Sequence, residues 1–410
     1  MKKKLYILFF IIFIILIIAV IFNKEKTAGI IKKYSNEKLY NLALVIFDSD
    51  RSHNRLNNDY NKVFLPNTQQ EELKFTKINL GFLERFEQGY FSIYQTKTFY
   101  IEYFDNKLFF ASKDGKIYYS NITELDKHFK IENNLNEIII KDILIKDEQI
   151  FLSAVSKIDD CLFLNIYVAK LNLTKINFQS KFKINECKKD IQSGKLIHVI
   201  KDKKKYLYMS TASEIFKRKD ENSPSAQDDN SLWGKIISID INNWNSKILT
   251  KGHRNILGLY NVPNKNIILS TENGPKGGDE INKIIEGLNY GWDIASYGKK
   301  YLDQNKNHIY LDHEEEKYQE PIFSFIPSIG ISQISMVDDN FKSPYWHNNF
   351  LIGSLQNKHL LRVKLDRNFD KVLFVEEIFI NERIRDVIYI KDTNQIILAL
   401  ENSGSIGILE

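Results

Sequence analysis

The sequence predicts an all-β fold, a six-bladed β-propeller preceded by one N-terminal transmembrane helix. Three observations predict it. First, a theme recurs in which a polar turn leads into an apolar strand that ends on small or polar residues: FDNKLFFASKDG from Phe104, KDEQIFLSAVS from Lys146, KDKKKYLYMSTAS from Lys201, VPNKNIILSTENG from Val262, WHNNFLIGSLQN from Trp346 and KDTNQIILALENSG from Lys391. A four-stranded blade cannot bury both of its faces alone, so such units stack radially and repeat at intervals of tens of residues; six copies imply six blades. Second, no amphipathic helical periodicity of comparable length follows the N-terminus, which argues against a helix bundle or an alternating α/β fold. Third, the chain carries 27 Phe and 21 Tyr, side chains that fit a pleated, half-buried surface. A pair of β-sandwiches is the alternative for the same strand-rich pattern.

Taken in order, the chain opens with Lys2, Lys3 and Lys4 before an uninterrupted apolar run over 5–22. At about 1.5 Å per residue a helix of that length reaches across a hydrocarbon core. Ala19, Val20, Ile21 and Phe22 offer no small-x-small cleavage site, so residues 1–23 read as a retained signal-anchor. The three lysines favour a cytoplasmic N-terminus, and Lys24, Lys26, Lys32 and Lys33 on the other side reduce the asymmetry. Residues 24–74 are polar and charged around a short apolar island at 42–47, the composition of a stalk. The propeller is expected over 75–410.

Cys161 and Cys187 are the two cysteines. In an oxidising compartment an even count permits one bridge; two buried thiols are the other reading. The net charge of +5 is spread over 57 basic and 52 acidic residues with no dominant basic block, which gives no electrostatic case for nucleic-acid binding. No GxxxxGK, HExxH or GxSxG motif is present, and His313 followed by Glu314, Glu315 and Glu316 reads as a solvated acidic loop.

The chemistry concentrates between Gly252 and Tyr297. Arg254 and Asn255 place a planar fork of donors beside an amide, groups that orient a small polyanionic or quinonoid ligand. Gly274 and Pro275 form a turn able to present backbone carbonyls to a hard cation, and Asp279 and Glu280 add carboxylate oxygens of the kind calcium takes. Farther on, Arg383 and Arg385 in a strand-like RIR project to one face, so two guanidinium groups can converge on one carboxylate-rich ligand.

The runs GHRN, ENGPKGGDEIN and NYGW, with AQDDNSLWGKIISID upstream and PIFSFIPSIG and RIRDV downstream, are similar in order to the soluble glucose and aldose sugar dehydrogenases that use pyrroloquinoline quinone (PQQ) and calcium. The resemblance implies a six-bladed propeller with its site at one end of the central channel. It implies PQQ held by Arg254, Asn255, Arg383 and Arg385, a calcium on the quinone held by main-chain carbonyls at Gly274 and Pro275, and a second, structural calcium at Asp279, Glu280 and Tyr290. Asn273 stands where the family often has Gln or His. The implied reaction oxidises a sugar hemiacetal to a lactone outside the cytoplasmic membrane, with the electron acceptor left open.

One segment departs. In KKDIQSGKLIHVI, over 188–200, the family has an Asp-His-x-Gly-Gly-Arg-Leu type of pattern whose histidine takes the proton from the anomeric hydroxyl. Aligning Gly194, Lys195 and Leu196 with Gly-Arg-Leu places Ile191 at the histidine, and isoleucine cannot act as a base. Asp190 is retained, with the low reference pKa of a carboxylate. His198 lies on the following strand, and His253 belongs to the GHRN loop. The family's Gly-Leu-Leu segment with its sugar-side glutamine is replaced by EIIIKDILIKDEQI. An inactive propeller serving as an envelope ligand-binding or scaffold module is therefore the alternative function.

Overall fold

A computed structural model describes residues 73–87, 95–213, 226–299 and 310–410. The predicted membrane span and most of the stalk lie outside the described residues, among which no helix is long and apolar enough to cross a membrane. The compact unit formed by Thr68–Phe86 and Thr96–Glu410 carries the propeller; nearly all of the other unit, Met1–Asn67 with Glu87–Gln95, is outside the described residues.

Six sheets of four or five strands account for the six repeats. Their innermost strands are Phe99–Phe104, Ile138–Lys146, Leu196–Lys201, Ile256–Val262, Ile331–Met336 and Ile384–Ile390, which define blades 1 to 6. Each repeat supplies the second strand of its blade, beginning at Lys107, Gln149, Lys204, Ile267, Phe350 and Gln395. In blades 1 to 3 the polar turn ahead of it is a tight hairpin: Phe104 pairs with Lys107, Lys146 with Gln149 and Lys201 with Lys204. Both central residues take positive φ at Asp105 and Asn106, Asp147 and Glu148, and Asp202 and Lys203, the backbone whose twist matches the flanking strands.

The ring closes by using both ends of the propeller. Phe75–Asn79 pairs antiparallel with Ser405–Leu409 as the outermost strand of blade 6, in register from Phe75 with Leu409 to Asn79 with Ser405. The core lies in apolar layers between neighbouring blades, for example Phe109, Ile117, Ile140 and Leu152 between blades 1 and 2 and Leu269, Ile331, Ile334 and Phe350 between blades 4 and 5.

Hydroxyl residues in the repeats and beside the inner strands join blade to blade. Ser153 Oγ donates to Gly194 O, Ser193 Oγ and Ser210 Oγ to Ile256 O at 2.6 and 3.3 Å, Thr271 Oγ1 to Ser332 O, and Ser332 Oγ to Ile384 O at 2.6 Å. Ile140 N donates to Lys113 O at 2.9 Å, and Ile101 N to Asp386 Oδ2 at 3.2 Å. Together these bonds run around the ring through the first residues of the inner strands, satisfying polar backbone that the channel mouth would otherwise bury unpaired. They also place those first residues at one end of the channel.

The cysteines are joined, Cys161 to Cys187, with their Cα atoms 5.1 Å apart. The bridge, with the Leu162–Lys188 backbone pair beside it, fastens the crossover from blade 2 to blade 3 and so anchors the segment that carries Asp190 to Lys195.

Candidate functional site at the channel mouth

Arg254 and Asn255 immediately precede the inner strand of blade 4, and Arg385 lies at the start of the inner strand of blade 6, so they sit at the same end of the channel, with blade 5 between them. Each group is oriented by a buried glutamate. Glu272 accepts from His253 Nδ1 at 2.9 Å and from the Arg254 backbone N–H, while Arg254 Nη1 donates to Asn273 O at 2.7 Å and its guanidinium lies 5.3 Å from the Trp292 ring. In blade 6, Arg383 Nε and Arg385 Nε donate to the two oxygens of Glu401 at 2.6 and 2.7 Å. The two guanidinium groups hold the fully buried Glu401 carboxyl down at about 2 against the opposing effect of desolvation. The two arginines converge on one carboxylate, but not by strand alternation: Arg383 lies just before the strand and Arg385 at a register shift within it, and the partner they share is internal.

The two glutamates were legible and missed. Glu272 in STENG and Glu401 in ALENSG occupy the same place in the fourth and sixth repeats, each at the end of a second strand beside the inner strand whose arginine it fixes.

Of the predicted metal residues, Gly274, Pro275, Glu280 and Tyr290 line one small cavity with Arg254, Glu272 and Trp292. Its volume of about 10 Å³ is near that of one water-sized sphere. Glu272 and Glu280 face each other across paired strands. Desolvation, then the charge of Glu272, pushes the Glu280 carboxyl well above its usual range, with Asn282 Nδ2 donating to it at 3.1 Å. Asp279 is placed differently. Its Oδ1 accepts from Gly274 N at 2.9 Å and its Oδ2 from Ile329, Gly330 and Ile331 N at 3.0, 2.7 and 2.9 Å, so this carboxylate ties the turn to the entry of blade 5. Tyr290 donates its hydroxyl to Lys283 O at 2.7 Å and stacks on His253 at 4.6 Å. His313 is buried and packs on Tyr297 at 5.2 Å, whereas Glu314, Glu315 and Glu316 are exposed; only the acids behave as the solvated loop expected from sequence.

The family model described as Glucose / Sorbosone dehydrogenase matches residues 95–408. The chain belongs to this family. Among curated relatives, Aldose sugar dehydrogenase YliI of Escherichia coli is 30% identical over 224 residues, 50% of this chain and 57% of its own. Quinoprotein glucose dehydrogenase B of Acinetobacter calcoaceticus is 24% identical over 291 residues, 53% of this chain and 60% of its own. These matches span little more than half of those relatives. Among solved structures, the apo-form of the soluble aldose sugar dehydrogenase of Escherichia coli superposes with a TM-score of 0.64 at 20% identity, over 83% of this chain and 99% of that one. The PQQ-bound aldose sugar dehydrogenase of Streptomyces coelicolor gives 0.56 at 15% identity, over 83% and 99%. At such identities the likeness shows the fold.

This family member differs where its sequence departs. Ile191 is buried with Phe151, Leu196, Met209 and Trp233, so its side chain packs the layer between blades 2 and 3. Asp190 is exposed and both of its oxygens accept from Gln192 Nε2, at 2.6 and 2.5 Å. His198 lies in the body of its strand, half-buried in a groove with Lys146, Asp147 and Lys205, and burial followed by the charge of Lys146 lowers its pKa. Below the mouth, Lys195 Nζ donates to Asp142 Oδ1 at 2.6 Å and lies 3.8 Å from Asp386 Oδ2, joining blades 2, 3 and 6 through buried charges. Burial raises the Asp142 carboxyl to about 6, the Lys195 ammonium being the main opposing influence. The motif GKL marks Lys195 in sequence, but its partners come from two other blades, which sequence spacing does not connect.

Proposed function

We propose that the chain is a PQQ- and calcium-dependent aldose sugar dehydrogenase, oxidising a sugar hemiacetal to a lactone. The observation that carries this reading is a set of buried polar atoms without partners among the described residues: Arg254 Nε, Asn255 Oδ1 and Trp292 Nε1. Each such atom is costly to bury unpaired, and together they offer donors and an acceptor to a planar ligand that carries carboxylate and carbonyl oxygens. The residues fit the group: Arg254 and Asn255 would hold one part of PQQ and Arg385, with Arg383 beside it, another; Glu401 fixes both Nε atoms, and Arg383 Nη1 also donates to Leu355 O at 3.0 Å, so Arg385 is the arginine of the pair offered for the ligand contact. The Gly274 and Pro275 carbonyls and Glu280 suit calcium, an oxygen-seeking cation, and a cation there would relieve the repulsion between Glu272 and Glu280. When bound, the quinone supplies the two-electron acceptor that no side chain provides.

The apolar run over 5–22 would tether the protein to the cytoplasmic membrane with the propeller outside, a placement that the Cys161–Cys187 bridge supports because such bonds persist in oxidising compartments. The second reading, a propeller that binds ligand without catalysis, is favoured by the packing of Ile191 into the core.

Calorimetric titration of the full chain with PQQ in the presence of calcium tests the proposal. Saturable binding is expected, weakened at least tenfold by Arg254→Met and by Arg385→Met. Absence of binding to a folded chain would sink the dehydrogenase reading.

A further inference from the structure

The inner strand of blade 2 slips register between Ile140 and Asp142, leaving Lys141 as the bulged residue; the inner strand of blade 6 does the same between Ile384 and Asp386, leaving Arg385. Bulges re-aim a side chain, and they gather beside active sites. Lys141 thus occupies in blade 2 the position from which blade 6 presents Arg385. Its stem packs on the backbone just after the segment where the family's histidine is missing: a methyl group added at Gly194 would lie 2.8 Å from Lys141 Cβ and 3.3 Å from Cγ. Gly194 itself holds a φ of +144°, a backbone that keeps this approach open to glycine alone.

The acceptors that the sequence offers for this role are engaged or absent. His253 has both ring nitrogens bonded, to Thr250 Oγ1 at 2.8 Å and to Glu272 at 2.9 Å. Asp190 is held by Gln192, and Ile191 is in the core.

We propose that the Lys141 amine takes the proton from the anomeric hydroxyl of an aldose bound at the channel mouth, the task of the absent histidine. The inference rests on the dehydrogenase reading above. In the step the hydroxyl O–H bond breaks and an N–H bond forms on Nζ. The C1–H bond breaks, its hydrogen and electron pair passing to the o-quinone, and the C1–O bond becomes the lactone carbonyl. A base must be neutral to accept a proton, and the surroundings supply this. Burial first, then the like charge of Lys113, lowers the amine from 10.5 to about 7; Arg385 acts in the same direction and Asp190 opposes them.

The test is acylation of the full chain with an amine-reactive ester across pH, with each lysine quantified by mass spectrometry, alongside quinone titration and turnover. Lys141 is expected to label with a midpoint near 7, at least two pH units below exposed lysines. Lys113→Met should move that midpoint upward by removing a like charge, and an aldose should slow labelling severalfold. Lys141→Met is expected to lower turnover by about 10² to 10⁴ with quinone affinity unchanged, and Lys141→Arg, still a cation at pH 7, should not restore it. Wild-type turnover in Lys141→Met would overturn the inference and leave the dehydrogenase reading intact. A folded wild-type chain that binds no quinone would sink that reading instead. The labelling then decides about Lys141: a midpoint near 10, or no protection by aldose, overturns it.

Discussion

Replacing Glu401 by Gln removes the carboxylate that Arg383 and Arg385 share. The glutamate is fully buried and its carboxyl is held at about 2 rather than 4.5. At about 1.4 kcal/mol per pKa unit, that difference corresponds to about 3.5 kcal/mol of stability, in the range of about 3–5 kcal/mol for breaking a buried ion pair from one side. For a propeller of this size, with an unfolding entropy of about 2 cal/mol/K per residue, the melting temperature should fall by roughly 5 °C. A depressed folded pKa means that the contribution is complete above the unfolded value near 4.5 and drains away as the pH falls through about 2. Differential scanning calorimetry of both proteins at pH 6 and at steps down to pH 2.5 should therefore show a gap that is widest at pH 6 and narrows on acidification. Equal melting temperatures at pH 6, or a gap independent of pH, would refute the assignment of Glu401 as the charged anchor of the two arginines.

Three further changes probe the rest of the mouth. Lys195→Met leaves Asp142 and Asp386 buried without their shared cation and should cost about 3–5 kcal/mol in urea denaturation, with partial recovery in Lys195→Met combined with Asp142→Asn. Calcium should raise the melting temperature of the wild-type chain by an amount that grows with the logarithm of its concentration, about 2.7 kcal/mol at a hundredfold excess over Kd; Glu280→Gln should abolish much of that response. Burial and the charge of Glu272 raise the Glu280 pKa, so protons compete with calcium there and its affinity should weaken as the pH is lowered. Ile191→His puts an imidazole among Phe151, Met209 and Trp233 and should destabilise by about 1–3 kcal/mol without raising turnover; a gain in aldose oxidation over the wild type would show that position 191 can reach the substrate.

The sequence by itself determined the blade count, the polar turns ahead of the second strands and the clustering of residues around Arg254. Turn chemistry and alternation are local: Asp-Asn, Asp-Glu and Asp-Lys turns set two-residue hairpins, and the apolar runs behind them can only be second strands of a layered sheet. The clustering of Arg254 with Gly274, Pro275 and Glu280 followed from chain proximity across one pair of strands. Tertiary structure alone decided which groups meet across blades. Lys195 finds Asp142 and Asp386, and Arg385 finds Lys141 as a charged neighbour, because ring closure brings together residues far apart in sequence. Bulges decided the rest. One extra residue at Lys141 or Arg385 reverses which side chains face the channel, so a period of two read along the chain points to the strand and stays silent about its mouth.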